Sequence, residues 1–266
     1  MMASAMPLVD LPGRDLSRAE EYYYRTEYQR AINVLQAAEP RDAAVYALTG
    51  KALFMQGQYK DAVPSLEKAV AEDGLSSDYY DWLGKAYGRV AEGSSFLSAL
   101  GYAKRTVRAF ERAVELDPSN LEALSDVFEY YLDAPGMVGG GVDKAETIVR
   151  RMAALDQAEF HYMRARLAEK RKDYGAAERE YRAALSAAPD QAGRALDLAA
   201  FLSARGRYEE SDQIFRGAAE KYPNVPKVLY AQAAAYVQSK RNLDQVEILL
   251  KRYLELQITP DDPQRL

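Results

Sequence analysis

The feature that most constrains this chain is a period. The segments GQYKDAVPSLEKAV, YAKRTVRAFERAVELDP, KDYGAAEREYRAALSAAP and GRYEESDQIFRGAAEKYP share one pattern: a small residue, a large apolar residue four later, and another small residue three after that. The first small position recurs, with substitutions, at Ala31, Ala62, Thr106, Ala145, Ala177, Ser211 and Val246, at gaps of 31, 44, 39, 32, 34 and 35 residues. Four gaps cluster near 34, so the two longer ones mark insertions. A period of this length implies stacked supersecondary units rather than one closed core. Steps of 4 and 3 define one face of a helix. A second stripe precedes each one, for example Tyr46, Thr49, Gly50 and Leu53, so each unit reads as a helix pair. The expected fold is an all-α solenoid of antiparallel helix pairs, without strands.

Local signals agree with that phase. Gly50, Gly84, Ala165, Ala199 and Ala233 are small where two helices of a pair have to approach. Gly57 and Gly206 separate the helices of a pair, while Pro118, Pro189 and Pro223 stop the second helix. Pro64 is expected in about the first turn of its helix, where a missing N–H costs little. Ser94 or Ser95 is a candidate N-cap for a long helix to Leu116, and Asp143 for a helix from about Lys144.

The 266 residues contain no cysteine and one histidine and carry a net charge of −5. Thiolate chemistry and Cys-based zinc sites are thereby excluded, and imidazole cages nearly so. Helix phase places His161 at a packing position, as a semi-buried structural residue. Carboxylates are plentiful, but ordinary repeats offer no water-excluding pocket to raise a carboxyl pKa, so an enzyme is the disfavoured class. Gly136 and the run Gly139 to Gly141 lie before a helix, but Gly141 is followed by Val142-Asp143-Lys144 and not by the Lys-Ser/Thr of a phosphate loop. A structural turn is expected there. Neither cofactor nor metal is expected, and the acidic balance disfavours nucleic acid despite 20 tyrosines. Tyr28, Tyr59, Tyr174 and Tyr208 recur just before the second helix as packing residues, and Tyr22, Tyr23 and Tyr24 fall outside the phase. The opening residues lack the apolar stretch of a secretory signal, which reads as cytoplasmic; Ala3-Ser4-Ala5 resembles the end of a cleaved signal and keeps an exported, periplasmic reading open.

YYDWLGKAYG followed by AFERAVELDPSN resembles a tetratricopeptide repeat, with its W-x2-L-G-x2-Y, A-x3-F and closing Pro. By phase, a degenerate pair occupies 14–42 and repeats occupy 43–76, 77–120, 121–157, 158–191, 192–225 and 226–259, flanked by tails at 1–13 and 260–266. Phe128, Met152 and Tyr253 replace small residues of the pattern, and Trp82 is displaced by two. The resemblance implies a right-handed solenoid whose first helices line a concave groove that takes a protein or peptide segment. The groove residues it selects are Asp81, Lys85, Arg89, Glu129, Tyr162, Arg166 and Lys170, with Leu196, Ala200, Tyr230, Ala234 and Val237 giving a smoother C-terminal lining. A segment of mixed charge with an apolar end fits that lining; the alternative is that these charges pair with one another. The Lys, Asn and Arg clamp of chaperone-tail binders is not matched, because Lys51, Lys85, Arg166 and Lys227 are scattered with no Asn among them.

The insertions GRVAEGSSFLSALGYA and DAPGMVGGGVDKAE fall at equivalent places and are expected side by side on one edge. Phe96, Leu97, Leu100, Met137 and Val138 form this insertion edge. Either Met137 and Val138 cover Phe96 and Leu100 as a satellite core, or the edge is an exposed ridge for assembly or oligomerisation. An insertion of the type YYLDAPGMVGGGVDKA, seen here with roughly residues 77–190, also resembles a subgroup of bacterial tetratricopeptide proteins, many exported, which implies an envelope location.

Overall fold

In a computed structural model that describes residues 14–264, the stripes become helices. They are α1 (Arg14–Tyr24), α2 (Tyr28–Ala37), α3 (Ala43–Met55), α4 (Tyr59–Glu72), α5 (Ser77–Glu92), α6 (Phe96–Leu116), α7 (Leu121–Asp133), α8 (Val142–Met152), α9 (Gln157–Lys170), α10 (Tyr174–Ala187), α11 (Ala192–Ala204), α12 (Tyr208–Lys221), α13 (Pro226–Ser239) and α14 (Leu243–Glu255). No strand occurs among the described residues. The tail expected at 1–13 lies outside them.

Starts and turns are set by local chemistry. The side chains of Asp42, Asn120, Asp156 and Asp173 each accept from a backbone N–H three residues on, at 2.8–3.1 Å, capping α3, α7, α9 and α10. The turn within a pair repeats a left-handed residue two before the tyrosine that opens the second helix: Thr26 (φ 59°), Gly57 (75°), Lys172 (61°) and Gly206 (76°) precede Tyr28, Tyr59, Tyr174 and Tyr208. Glycine serves this conformation without strain, whereas Thr26 and Lys172 carry a Cβ against it. Pro64 is the sixth residue of α4, a turn further in than expected, and so removes one intrahelical bond. Helix α8 begins at Val142, so Asp143 sits inside its first turn as a favourable charge and not as the cap.

The core runs along the chain in overlapping clusters, as stacking requires. The largest gathers Phe110, Phe128, Met152 and Met163 between α6 and α9. Phe128 and Met152, which replace small residues of the pattern, are fully buried. Close approach within a pair is real at Gly84, where an added Cβ would meet the Phe110 ring at 2.5 Å.

The chain end is not the simple tail expected at 260–266. After α14 the chain turns back; Ile258 is buried with Leu229 and Tyr253. Asp262 is also buried, accepting from the backbone N–H of Lys227 at 3.2 Å and from that of Thr259 at 2.9 Å. The α13 cap position is Val225, whose side chain cannot accept a bond, so the carboxylate of Asp262 takes the place of a cap.

Candidate functional site

First helices of neighbouring pairs touch one another, α3 to α5, α5 to α7, α7 to α9 and α11 to α13, which puts them on the inside of the curve. Their charged side chains meet across the repeats. Lys51 on α3 lies 2.7 Å from Asp78 on α5. Lys85 on α5 is bonded to Glu122 and lies 3.1 Å from Asp126, both on α7, as well as 2.9 Å from Asp81 on its own helix. Glu129 accepts from Arg166 at 2.7 Å and from the Tyr162 hydroxyl at 3.2 Å. Asp133 takes Arg166 at 3.3 Å and Lys170 at 3.2 Å, and Glu159 on α9 is bonded to Arg194 on α11. Six of the seven groove residues are thus joined in an inter-repeat ladder. Arg89 stands apart at the end of α5, bonded to Glu92 and 3.2 Å from the Tyr59 hydroxyl.

Burial sets the electrostatics. Asp81 is only 2% exposed, and burial pushes its carboxyl up to about 7 against the opposing pull of Lys85. Asp126 is raised for the same reason. For Lys85 burial alone would lower the pKa, but the three carboxylates outweigh it and hold the amine charged. Burial also raises Glu129 and lifts Asp197 to about 6, with Arg194 opposing at 3.2 Å. Raised carboxyls therefore exist where none was expected, because stacked first helices exclude water between them. Neither Asp81 nor Asp126 forms the wall of the adjoining cavity, whereas Glu122 does. The arrangement ties neighbouring first helices together, with Asp81 enclosed and Asp126, Glu129 and Asp197 partly exposed. Among the described residues, Asp81, Glu122 and Asp126 form the one group spaced to hold a metal, and the Lys85 ammonium already occupies it. His161 is half-buried with Nδ1 2.7 Å from Glu180, a packing-level pair.

Two hollows border the first helices, the second of them shared with α14 of the last pair. One, of about 450 Å³, is bounded by Tyr23 and Tyr24 of α1, Lys51 of α3, Trp82 of α5, Glu122 of α7, and Pro260 and Asp261 of the chain end. Trp82 lies between two ammonium groups, Lys51 at 5.2 Å and Lys85 at 4.7 Å from the ring centre. The other, of about 320 Å³, is lined by Tyr230, Ala233, Ala234, Val237, Gln238 and Leu250. Tyr24, Trp82, Asp126, Arg194 and Asp261 were not found from sequence. The signal for part of the ladder was present: Lys85–Glu122, Glu129–Arg166 and Asp133–Lys170 are opposite charges spaced 37 residues apart, one repeat length.

At the insertion edge the Tyr130 hydroxyl lies 2.7 and 2.8 Å from the carbonyls of Ala103 and Val138, and its one proton is shared between them, tying the two insertions together. Val138 is buried and Leu100 partly so. Phe96, Leu97 and Met137 are 72, 80 and 69% exposed, so the satellite core does not include them. The first turn of α6 projects past the end of α5, and the short 3-10 turn at Gly136–Val138 packs lower, near Ala103 and Val107. In the glycine run, Gly139 is left-handed (φ 104°), and a Cβ on Gly140 would lie 1.8 Å from the Ala134 carbonyl oxygen. These glycines allow the loop to cross the end of α7, and the Gly141 N–H bonds inward to the Tyr131 carbonyl at 2.8 Å.

One tetratricopeptide-repeat model matches residues 16–87 and 139–192, and a second matches 168–235, together more than half of the chain. The chain belongs to the tetratricopeptide-repeat family. Such proteins generally mediate protein–protein interaction and are typically non-catalytic scaffolds. This tetratricopeptide-repeat chain is similar in fold to a repeat protein of Parabacteroides merdae (13% identity, TM-score 0.62, 92% of each chain) and to one of Thermus thermophilus (20%, 0.56, 76% of this chain and 98% of that one). It is likewise similar to the human IFIT1 dimer with PPP-AAAA (16%, 0.60, 91% and 54%). A 105-residue stretch is 31% identical to the human DnaJ homolog subfamily C member 7, covering 38% of this chain. The chain spans about a fifth (19%) of the length of that relative. Among the described residues no helix is long and apolar enough to cross a membrane.

Proposed function

We propose that this chain is a non-catalytic scaffold that binds a protein segment on its concave face. The observation that carries the reading is the pair of hollows beside the first helices, one aromatic and carboxylate-lined around Trp82, the other apolar between α13 and α14 around Tyr230 and Val237. They match a partner that inserts side chains at two points and lays its backbone along the ladder between them. The ladder carboxylates and the net charge of −5 disfavour a polyanion and favour a protein segment as the ligand.

The ladder also decides how to test it. Lys85 holds the buried Asp81 and Arg166 the half-buried Glu129, so reversing either charge perturbs the fold along with the surface. Asp133 and Lys170 are about half exposed and pair with each other. The double swap Asp133→Lys, Lys170→Glu keeps that pair and inverts its pattern, at the loss of the 3.3 Å Arg166–Asp133 contact, while Arg166 keeps Glu129. A cross-linked pull-down from native extract, wild type against this swap, is expected to lose a groove partner selectively. Equal capture by both proteins of every bound partner refutes the groove.

A second reading rests on the three exposed apolar side chains of the insertion edge, Phe96, Leu97 and Met137, which favour an assembly surface. Light scattering on a Phe96→Asp, Met137→Asp variant tests it; unchanged mass and unchanged partners remove it.

A further inference from the structure

The two ends of the solenoid meet. Gln264, beyond the last helix, accepts a hydrogen bond from the Tyr28 hydroxyl on α2 at 2.8 Å, across 236 residues of sequence. Ile258 and Gln264 line a third hollow with Thr26, Tyr28, Met55, Gln56 and Gln58, while Pro260 and Asp261 line the Trp82 cavity together with residues of α1 and α3. Asp261 is close enough to Tyr23 and Tyr28 to oppose ionisation of both phenols, after burial itself.

The segment 256–264 is a rigid finger of the last repeat. Asp262 is held by Lys227 and Thr259, the Tyr253 hydroxyl is bonded to the Pro263 carbonyl, and the Gln264 amide N–H group bonds back to the carbonyls of Thr259 and Asp262 at 3.1 and 2.6 Å. Among the described residues, Tyr28–Gln264 is the side-chain hydrogen bond that crosses the join to the first pair, whereas several hold the finger within its own repeat. A finger held in this way parts first at the join.

We propose that this finger is a clasp: it closes the solenoid end to end over the Trp82 cavity, and a segment enters the concave face when the Tyr28–Gln264 contact parts. The clasp deepens the groove reading and rests on it for its purpose, since it controls access to that same face. A partner that needs the open form then binds more weakly by the factor of the open fraction.

The test uses the full chain alone, so it stands or fails whether or not a partner is found. The sequence holds one tryptophan, Trp82, inside the clasped cavity, and no cysteine to interfere with labels. Acrylamide quenching of Trp82 reads the open fraction, and nitroxides at Gln29→Cys and Gln257→Cys read the distance between the ends. Tyr28→Phe removes the bond and is expected to raise the open-to-closed ratio, and with it the quenching constant, about fivefold. Gln264→Ala also removes the amide bonds to Thr259 and Asp262 and is expected to raise it at least as much, and adding Tyr28→Phe to Gln264→Ala is expected to add nothing further, because that contact is already gone. Far-UV circular dichroism confirms unchanged helicity. Three results overturn the clasp: ends far apart in the wild type, quenching unchanged in both single variants, or effects of the two substitutions that multiply. A failure of the pull-down above with the clasp intact would instead remove the groove reading.

Discussion

Replacing Lys85 by Met isolates what the ladder does. Among the described residues, the ammonium is the cation paired with Asp81, which is 2% exposed, and it also serves Asp126 and Glu122. Removing one member of a buried ion pair leaves the other charge uncompensated, at a cost of about 3–5 kcal/mol. The sign of the pH dependence follows from Asp81. Its folded carboxyl sits at about 7, above the ordinary 3.8, so between those values the folded chain holds a proton that the unfolded chain releases. Stability from this group is full below the unfolded value and is lost as pH rises through the folded one. Without Lys85 the folded value climbs further, and each added unit removes about 1.4 kcal/mol at high pH. The variant is therefore expected to lose about 3–5 kcal/mol at pH 8 and about 1.4 kcal/mol less at pH 5, where Asp81 is neutral in wild type and variant alike. Thermal unfolding by circular dichroism is expected to show a Tm drop of about 10 °C at pH 8, shrinking by about a third at pH 5. Adding Asp81→Asn to Lys85→Met is expected to restore most of the loss. A penalty equal at both pH values, or no rescue by Asp81→Asn, would refute the view that burial of Asp81 makes Lys85 necessary.

Three further outcomes follow from packing and backbone. Lys172→Gly relieves a left-handed residue at the turn where Gly57 and Gly206 stand in other repeats, and is expected to stabilise by about 1 kcal/mol in urea titration; destabilisation would mean the lysine side chain matters more than its φ. Gly140→Ala sets a Cβ 1.8 Å from the Ala134 carbonyl oxygen, which cannot yield as a side chain could. It is expected to cost about 3 kcal/mol and to speed hydrogen exchange at the start of α8; protection at the wild-type level would show that the loop has another path. Phe128→Ala empties a fully buried site of the largest cluster and is expected to cost about 3–5 kcal/mol by the same titration, with a loss under 1 kcal/mol placing that ring outside the core.

The fold was legible because the information for it is local and repeated. Ala62, Leu66 and Ala69 state a helix face, and six recurrences fix the stacking. The insertion edge was legible in position but not in depth. Periodicity places Phe96 and Met137 on one edge, yet whether they touch depends on how far α6 outruns α5, which no pattern in the sequence records. The chain end was misread for a different reason. ITPDDPQ has the composition of a tail, and its order comes from a distant need: α13 begins at Val-Pro, which cannot cap itself, and Asp262 supplies the missing acceptor. A vacant cap is visible in sequence, but the residue that fills it is not.

The ladder changes what the concave face can contribute to binding. A surface charge free in water adds attraction when a partner brings its opposite, but Lys85, Arg166 and Arg194 are already paired with carboxylates on the next or preceding first helix. A partner's carboxylate can only exchange for an existing one, so a matched charge pattern gains little, whereas an inverted one, as in the Asp133 and Lys170 swap, costs repulsion. Net affinity on this face then has to come from surfaces with no partner of their own. Those are the ring of Tyr24, exposed by 67% at the cavity mouth, and Tyr230 and Val237 near the other end, exposed by 42 and 55%. Charge along the ladder would set the register of a bound segment, while the rings and apolar side chains at the two hollows would hold it. Binding of this kind weakens little with added salt. A steep loss of affinity with salt would place the contact elsewhere, on exposed unpaired charge.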